Sequence, residues 1–121
     1  MENEKIILEF NMKSTPLPLL WNYISSASGL KQWFADDVVV EHKEFTFKWK
    51  GSSQIAHLIG NRTMSYIKFR WEDEDPKKYF ELKILSDELT DSRTLVITDF
   101  GEDVKDLWNA QVDVLKRLLG C

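Results

Sequence analysis

The stretch DVKDLWNAQVDVLKRLLG, residues 103–120, is the longest periodic segment of the chain, and its reading decides the architecture. Val104, Leu107, Trp108, Leu115, Leu118 and Leu119 recur at helical spacing, while Asp106, Asn109, Asp113 and Lys116 take the opposite side. This pattern predicts an amphipathic helix over residues 103–119, about four to five turns at ~3.6 residues each. Asp103 and Asp106 near its start and Lys116 and Arg117 near its end complement the helix dipole. Gly120 supplies the stop. One long apolar stripe needs a surface to cover, and the residues before it provide one.

Between Asp37 and Phe100 the period changes to two. Phe45, Phe47 and Trp49 alternate with Thr46, Lys48 and Lys50, and Ile67, Phe69 and Trp71 alternate with Tyr66, Lys68 and Arg70. Such alternation marks half-buried strands. Residues 38–40, 55–59, 80–84 and 92–100 read as further strands, with turns at His42-Lys43-Glu44, Gly60-Asn61 and Glu72-Asp73-Glu74-Asp75-Pro76. Short turns between successive strands predict an antiparallel meander rather than βαβ units. Nearer the N-terminus, Ile6, Leu8, Phe10 and Met12 share one face of a first strand. Ser14-Thr15-Pro16 then reads as a hydroxyl cap with proline in the first turn of a helix running to about residue 26. Ser28-Gly29 is expected to break it, and Leu30-Lys31-Gln32-Trp33-Phe34 reads as a second short helical turn. The expectation is an α+β fold: one strand, two short helices, about six antiparallel strands and a long final helix across the concave side of the sheet. With no linker, repeat or low-complexity segment, residues 1–121 read as one domain.

The totals agree with that picture and exclude several classes of function. At 121 residues, with 43% hydrophobic and 30% charged side chains, the chain can bury a core without staples. No apolar run is long enough to cross a bilayer as a helix. The start Met1-Glu2-Asn3-Glu4-Lys5 is charged and no signal-peptide core follows, and Cys121 is the single cysteine. An intramolecular disulfide is therefore excluded, and a cytoplasmic location is the expectation. Net charge is −4, and the only adjacent basic pairs are Lys77-Lys78 and Lys116-Arg117. Nucleic-acid binding needs a clustered positive surface, so neither a nucleic-acid partner nor a polybasic membrane patch is expected.

A family resemblance enters on these elements. Leu20-Trp21-Asn22-Tyr23-Ile24, Leu30-Lys31-Gln32-Trp33-Phe34-Ala35 and Phe45-Thr46-Phe47-Lys48-Trp49-Lys50-Gly51 resemble the START-like, or SRPBCC, superfamily. Ile67-Lys68-Phe69-Arg70-Trp71, Thr94-Leu95-Val96-Ile97-Thr98 and the late Trp108 extend the match over almost the whole chain. The branch it is most similar to is that of the Aha-type proteins, named for homology to a co-chaperone ATPase activator. The resemblance implies a helix-grip fold, a curved sheet of about six to seven strands wrapped around the final helix, with a cavity between them. It also implies an apolar small molecule, a lipid or polycyclic compound, as partner. Some members catalyse on such ligands. The co-chaperones carry an additional N-terminal domain that this sequence lacks.

Candidate ligand-binding residues follow from the inward faces. Trp33, Trp49, Trp71 and Trp108, with Phe47 and Phe69, suit the wall of an apolar pocket, although large aromatics equally fill cores. Trp21 reads instead as an anchor of the first helix. Gln111 falls at about 100° per residue between Val104, Leu107, Leu115 and Leu118, and a buried amide there needs a partner from protein, water or ligand. The helix side of the site, Trp108 and Gln111, is expected to face Trp49 and Trp71. His57 points inward if Ile55 and Ile59 do, while Ala56 and Leu58 offer the opposite register. Asp99 shares a face with Leu95 and Ile97 and reads as a head-group contact, a base or a helix cap.

Other chemistries find no support. No serine stands in a nucleophile elbow, the acidic run lacks calcium-loop spacing, and two distant histidines with one cysteine make no zinc signature. No phosphate-cradling glycine loop is present. No metal, cofactor or catalytic residue is expected, and a homodimer through an edge strand or the terminal helix is left open. An enzyme, cyclase-like or hydrolytic, and a co-chaperone-like interaction module are the alternatives to ligand binding.

Overall fold

Inward-facing aromatic and β-branched residues at every second position produce a seven-stranded sheet in the computed structural model, which describes residues 4–121. The charged start Met1-Glu2-Asn3 lies outside the described residues. The elements are β1 (Lys5–Asn11), α1 (Leu17–Ser25), α2 (Ala27–Leu30), β2 (Asp37–Glu41), β3 (Glu44–Trp49), β4 (Ser52–Arg62), β5 (Tyr66–Trp71), β6 (Phe80–Asp87), β7 (Ser92–Phe100) and α3 (Val104–Leu119). Strand order is β1-β7-β6-β5-β4-β3-β2, every pairing antiparallel. β2 to β7 are thus the meander the turns implied, and β1 returns to pair with the last strand. No helix among the described residues is long and apolar enough to cross a membrane.

The register sets the inner face. Phe45 stands opposite Ala56 and Ala56 opposite Trp71, Phe69 opposite Phe80, and Leu82 opposite Ile97. All of these except Trp71, which is half-buried, are buried, and Phe47, Ile67 and Leu95 join them. Each fully buried side chain of this size contributes about 1.5–3 kcal/mol of transfer free energy.

α3 covers that face with Trp108, Val112 and Leu115. This corrects the stripe read from the sequence, because Leu107 and Leu118 are 57% and 45% exposed. Each precedes a member of the row Trp108, Val112, Leu115, Leu119 by one residue, which turns it about 100° from the sheet. Gly120 ends the helix in the left-handed conformation at φ 75, the role expected of it.

Three local expectations also change. The turn read at Gly60-Asn61 lies inside β4, and the chain reverses only after Arg62. Thr15 does not cap α1; its hydroxyl donates to the Met12 carbonyl at 2.7 Å, and Pro16 occupies the cap position. The break between the short helices falls at Ser26, whose Oγ accepts from Gly29 N at 2.9 Å and caps α2. Gly29 lies inside α2, where a Cβ would overlap the Asn22 carbonyl of α1. Its role is close approach rather than interruption. At the chain end, Cys121 Sγ donates at 3.3 Å to the carbonyl of Met12, the residue that follows β1.

Candidate functional site

After α2 the chain tightens into a compact turn in which the Leu30 carbonyl accepts from the amides of Trp33, Phe34 and Ala35. The turn sends Trp33 and Phe34 inward, both 5% exposed. Asp36 then docks on β3, its amide donating to the Lys48 carbonyl at 2.9 Å and its Oδ2 accepting from Lys50 N at 3.0 Å.

Phe34 is the centre of the space between sheet and helix. Its ring lies 4.9 Å from Phe47, 5.7 Å from Trp49, 6.0 Å from Phe80 and 5.3 Å from Trp108. Trp108 therefore reaches β5 and β6 through Phe34 and Phe80 rather than by facing Trp49 and Trp71 directly. Phe80 in turn stacks on Phe69 at 5.1 Å and on Trp71 at 4.9 Å. The expected aromatic walls are present, but they close on one another as a packed cluster.

The indole N–H groups show how this cluster is pinned. Trp33 Nε1 donates to the Tyr23 carbonyl at 2.8 Å, and Trp49 Nε1 to the Phe34 carbonyl at 3.0 Å. Gln111 Nε2 donates to that same Phe34 carbonyl at 2.8 Å. The amide of α3 and the indole of β3 thus hold one backbone oxygen between them. Gln111 Oε1 is buried without a hydrogen-bond partner among the described residues. Above this junction opens a pocket of about 320 Å³, lined by Gln32, Trp33, Phe34, Trp49, Gln111 and Val114 among others.

Asp99 occupies the opposite flank of Trp108. Its Oδ2 accepts from Trp108 Nε1 at 2.8 Å and its Oδ1 from Phe100 N at 2.7 Å. Burial pushes its carboxyl above the ordinary value of 3.8; the two hydrogen bonds oppose the rise, and repulsion from Asp103 and Glu74 adds to it. Both oxygens are occupied, so Asp99 fastens β7 to α3 and does not cap the helix.

His57 is not brought to this site. Ala56 takes the inward position between Phe45 and Trp71 and is fully buried there. His57, one residue on, points to the outer face and meets Glu72 Oε1 at 3.0 Å. The structure therefore unites Trp33, Phe47, Trp49, Phe69, Trp71, Trp108 and Gln111 in or beside the aromatic cluster, places Asp99 at its flank, and excludes His57. Phe34 and Phe80 are the residues sequence reasoning missed. Phe80 was legible as an inward strand residue, whereas the position of Phe34 depends on an irregular turn with no period to read.

Comparison with known proteins fits this geometry. The model of the START-like superfamily domain matches residues 1–121. The solution NMR structure of BfR322 from Bacteroides fragilis is 42% identical, with a TM-score of 0.71 over 98% of this chain and 92% of that one. The Aha1 dimer from Colwellia psychrerythraea is 13% identical, with a TM-score of 0.80 over 96% of each chain. CalU16 from Micromonospora echinospora is 17% identical, with a TM-score of 0.73 over 95% of this chain and 75% of that one. The last two likenesses show the fold alone. No curated protein matches the chain. The whole-length model match and the close Bacteroides relative place this chain in the START-like superfamily.

Proposed function

We propose that the chain binds a small apolar molecule carrying a hydrogen-bond donor, held where Trp33, Phe34, Trp49 and Gln111 meet. The observation that carries this reading is Gln111 Oε1, a buried acceptor without a partner in a residue that lines an aromatic pocket. Leaving such a group unpaired costs about 1–3 kcal/mol, which a ligand hydroxyl or N–H recovers. START-like folds commonly bind hydrophobic ligands, which agrees with the aromatic surroundings. At about 320 Å³ the pocket is near the small end of the ~300–1,000 Å³ range of ligand sites. A larger molecule enters by swinging the Phe34 ring out of the cluster it plugs. An enzymatic reading would rest on His57 or Asp99, and it is set aside because His57 faces outward and both Asp99 oxygens are engaged.

The test is calorimetric titration with polycyclic phenols and their methyl ethers against the natural chain and Gln111→Leu. Phenols should bind at least about tenfold more tightly than ethers to the natural chain, equivalent to about 1.4 kcal/mol, and the preference should vanish in the variant. Equal affinities for the two series, or no binding of either, would overturn the reading.

A further inference from the structure

The outer face of the sheet carries a second cluster, independent of the ligand pocket. We propose that Glu44, His57 and Glu72 form a binding site for a divalent transition-metal cation, zinc foremost.

Three neighbouring strands build it. Glu44 opens β3 and stands directly opposite His57 of β4 in the strand register. Glu72 follows β5, and its backbone is tied to β4 by a 2.8 Å hydrogen bond from its amide to the Ile55 carbonyl. The backbone ladder, rather than a flexible loop, therefore sets the separation of the three side chains. One ligand atom from each lies within 4.8 Å of the others, and His57 Nε2 is 3.0 Å from Glu72 Oε1. Zinc holds nitrogen and oxygen ligands at about 2.0–2.2 Å, so two ligands of one tetrahedral ion stand roughly 3.4 Å apart. Small rotations of the two exposed glutamates close the remaining gap.

The charge balance supports a cation. Glu72 has His57 as its hydrogen-bond partner, but Glu44 has no ion-pair partner among the described residues. Glu41 lies opposite Glu44, and Asp73, Glu74 and Asp75 follow Glu72, so the surroundings are acidic. Arg70, opposite His57 on its other side, and Lys43 offset this only in part. Two carboxylates converging on one imidazole form a site that a doubly charged ion neutralises and the imidazole alone does not.

Donor chemistry selects the ion. An imidazole nitrogen with two carboxylate oxygens suits zinc, cobalt or nickel, whereas calcium and magnesium prefer oxygen alone. Three protein ligands leave a fourth position for water. A sequence search for short-spaced ligand pairs misses the set because its members lie 13 and 15 residues apart, on β3, on β4 and just after β5.

The experiment is zinc titration of the untagged full chain by calorimetry, with cobalt(II) absorption as the spectroscopic readout. The variants are His57→Ala, Glu44→Gln, Glu72→Gln and, to remove the single thiol, Cys121→Ser. One equivalent should bind, the unfolding midpoint should rise with zinc, and Cys121→Ser should leave both unchanged. The cobalt spectrum should lack a thiolate charge-transfer band. His57→Ala should weaken binding at least tenfold and each glutamine variant several-fold, with metal-free unfolding midpoints equal to that of the natural chain. Magnesium and calcium at the same concentration should not shift the midpoint. Unchanged zinc affinity in His57→Ala or in both glutamine variants, dependence on Cys121, equal response to calcium, or saturation only at millimolar zinc would each overturn the assignment.

Discussion

Asp99 and Gln111 both hydrogen-bond to members of the aromatic cluster, and they are used in opposite ways. Asp99 accepts at both oxygens, from Trp108 Nε1 and Phe100 N, and so fastens helix to sheet. Gln111 donates to the Phe34 carbonyl and leaves its own oxygen buried without a partner. A satisfied polar group inside a fold is a fastener; a half-satisfied one keeps a valence that a ligand can take. The two residues flank the same ring system, so differences in their substitution energies report on use rather than on location.

Phe34 joins the two flanks, and its removal should have the largest effect. Its ring packs on Trp108, which Asp99 holds, and its carbonyl is held by Gln111. Phe34→Ala should cost about 3–5 kcal/mol in urea unfolding, the usual range for deleting a buried phenylalanine. It should also raise binding of an apolar fluorescent dye, because the plug is gone. A cost below about 1 kcal/mol would mean the cluster repacks freely and the two flanks are not coupled through it.

Asp99→Leu comes next. It leaves the Trp108 indole N–H and the Phe100 amide without their acceptor, at about 1–3 kcal/mol for each group that remains buried. Removing the carboxylate also relieves the cost of burying it, so chemical denaturation should show a loss of about 2–4 kcal/mol rather than the full sum. Near-neutral stability would show that water replaces the carboxylate, and the fastening role would fall.

The titration of Asp99 sharpens the contrast with a smaller signal. Its folded carboxyl titrates above the ordinary value of 3.8, chiefly because burial strips water from the charged form. Between the ordinary value and the raised one the folded state binds a proton that the unfolded state has lost. Stability from this group is thus complete below the ordinary value and declines as pH rises through the folded one. Asp99→Asn cannot titrate, so the natural chain's stability minus that of the variant should fall with rising pH across this window and then level off. A difference that rises with pH would reverse the assigned cause.

Much of this architecture was legible because period is legible. Phe45, Phe47 and Trp49 on one strand and Ile67, Phe69 and Trp71 on another announce their inner face without a partner in view. The helix was legible in extent but not in rotation, since Leu107 and Leu118 are as apolar as the buried Val112, and only packing chooses between adjacent stripes. His57 was ambiguous for a related reason. Both Ile55 and Ile59 and the intervening Ala56 and Leu58 are apolar, and a register irregularity between Leu58 and Gly60 leaves Ile59 46% exposed. Gln111 stood out as an amide within an apolar stripe, but its partner lies 77 residues away on an irregular turn, beyond any local pattern.

Gln111→Leu should have the smallest effect on stability, and that near-silence is its diagnostic value. The change gives up one hydrogen bond to Phe34, a net contribution of about 0.5–1.5 kcal/mol, while Trp49 Nε1 still serves the same carbonyl. It also removes the unpaired Oε1, whose burial costs about 1–3 kcal/mol. The two terms nearly cancel, so unfolding free energy should change by less than about 1 kcal/mol, with the sign leaning toward stabilisation. A loss matching that of Asp99→Leu would mean that Gln111 is a second fastener, and its oxygen would then no longer serve as the valence reserved for a ligand. A silent substitution in unfolding that removes the preference for phenols over ethers separates the two flanks of Trp108 by function: one side holds the helix, and the other receives the guest.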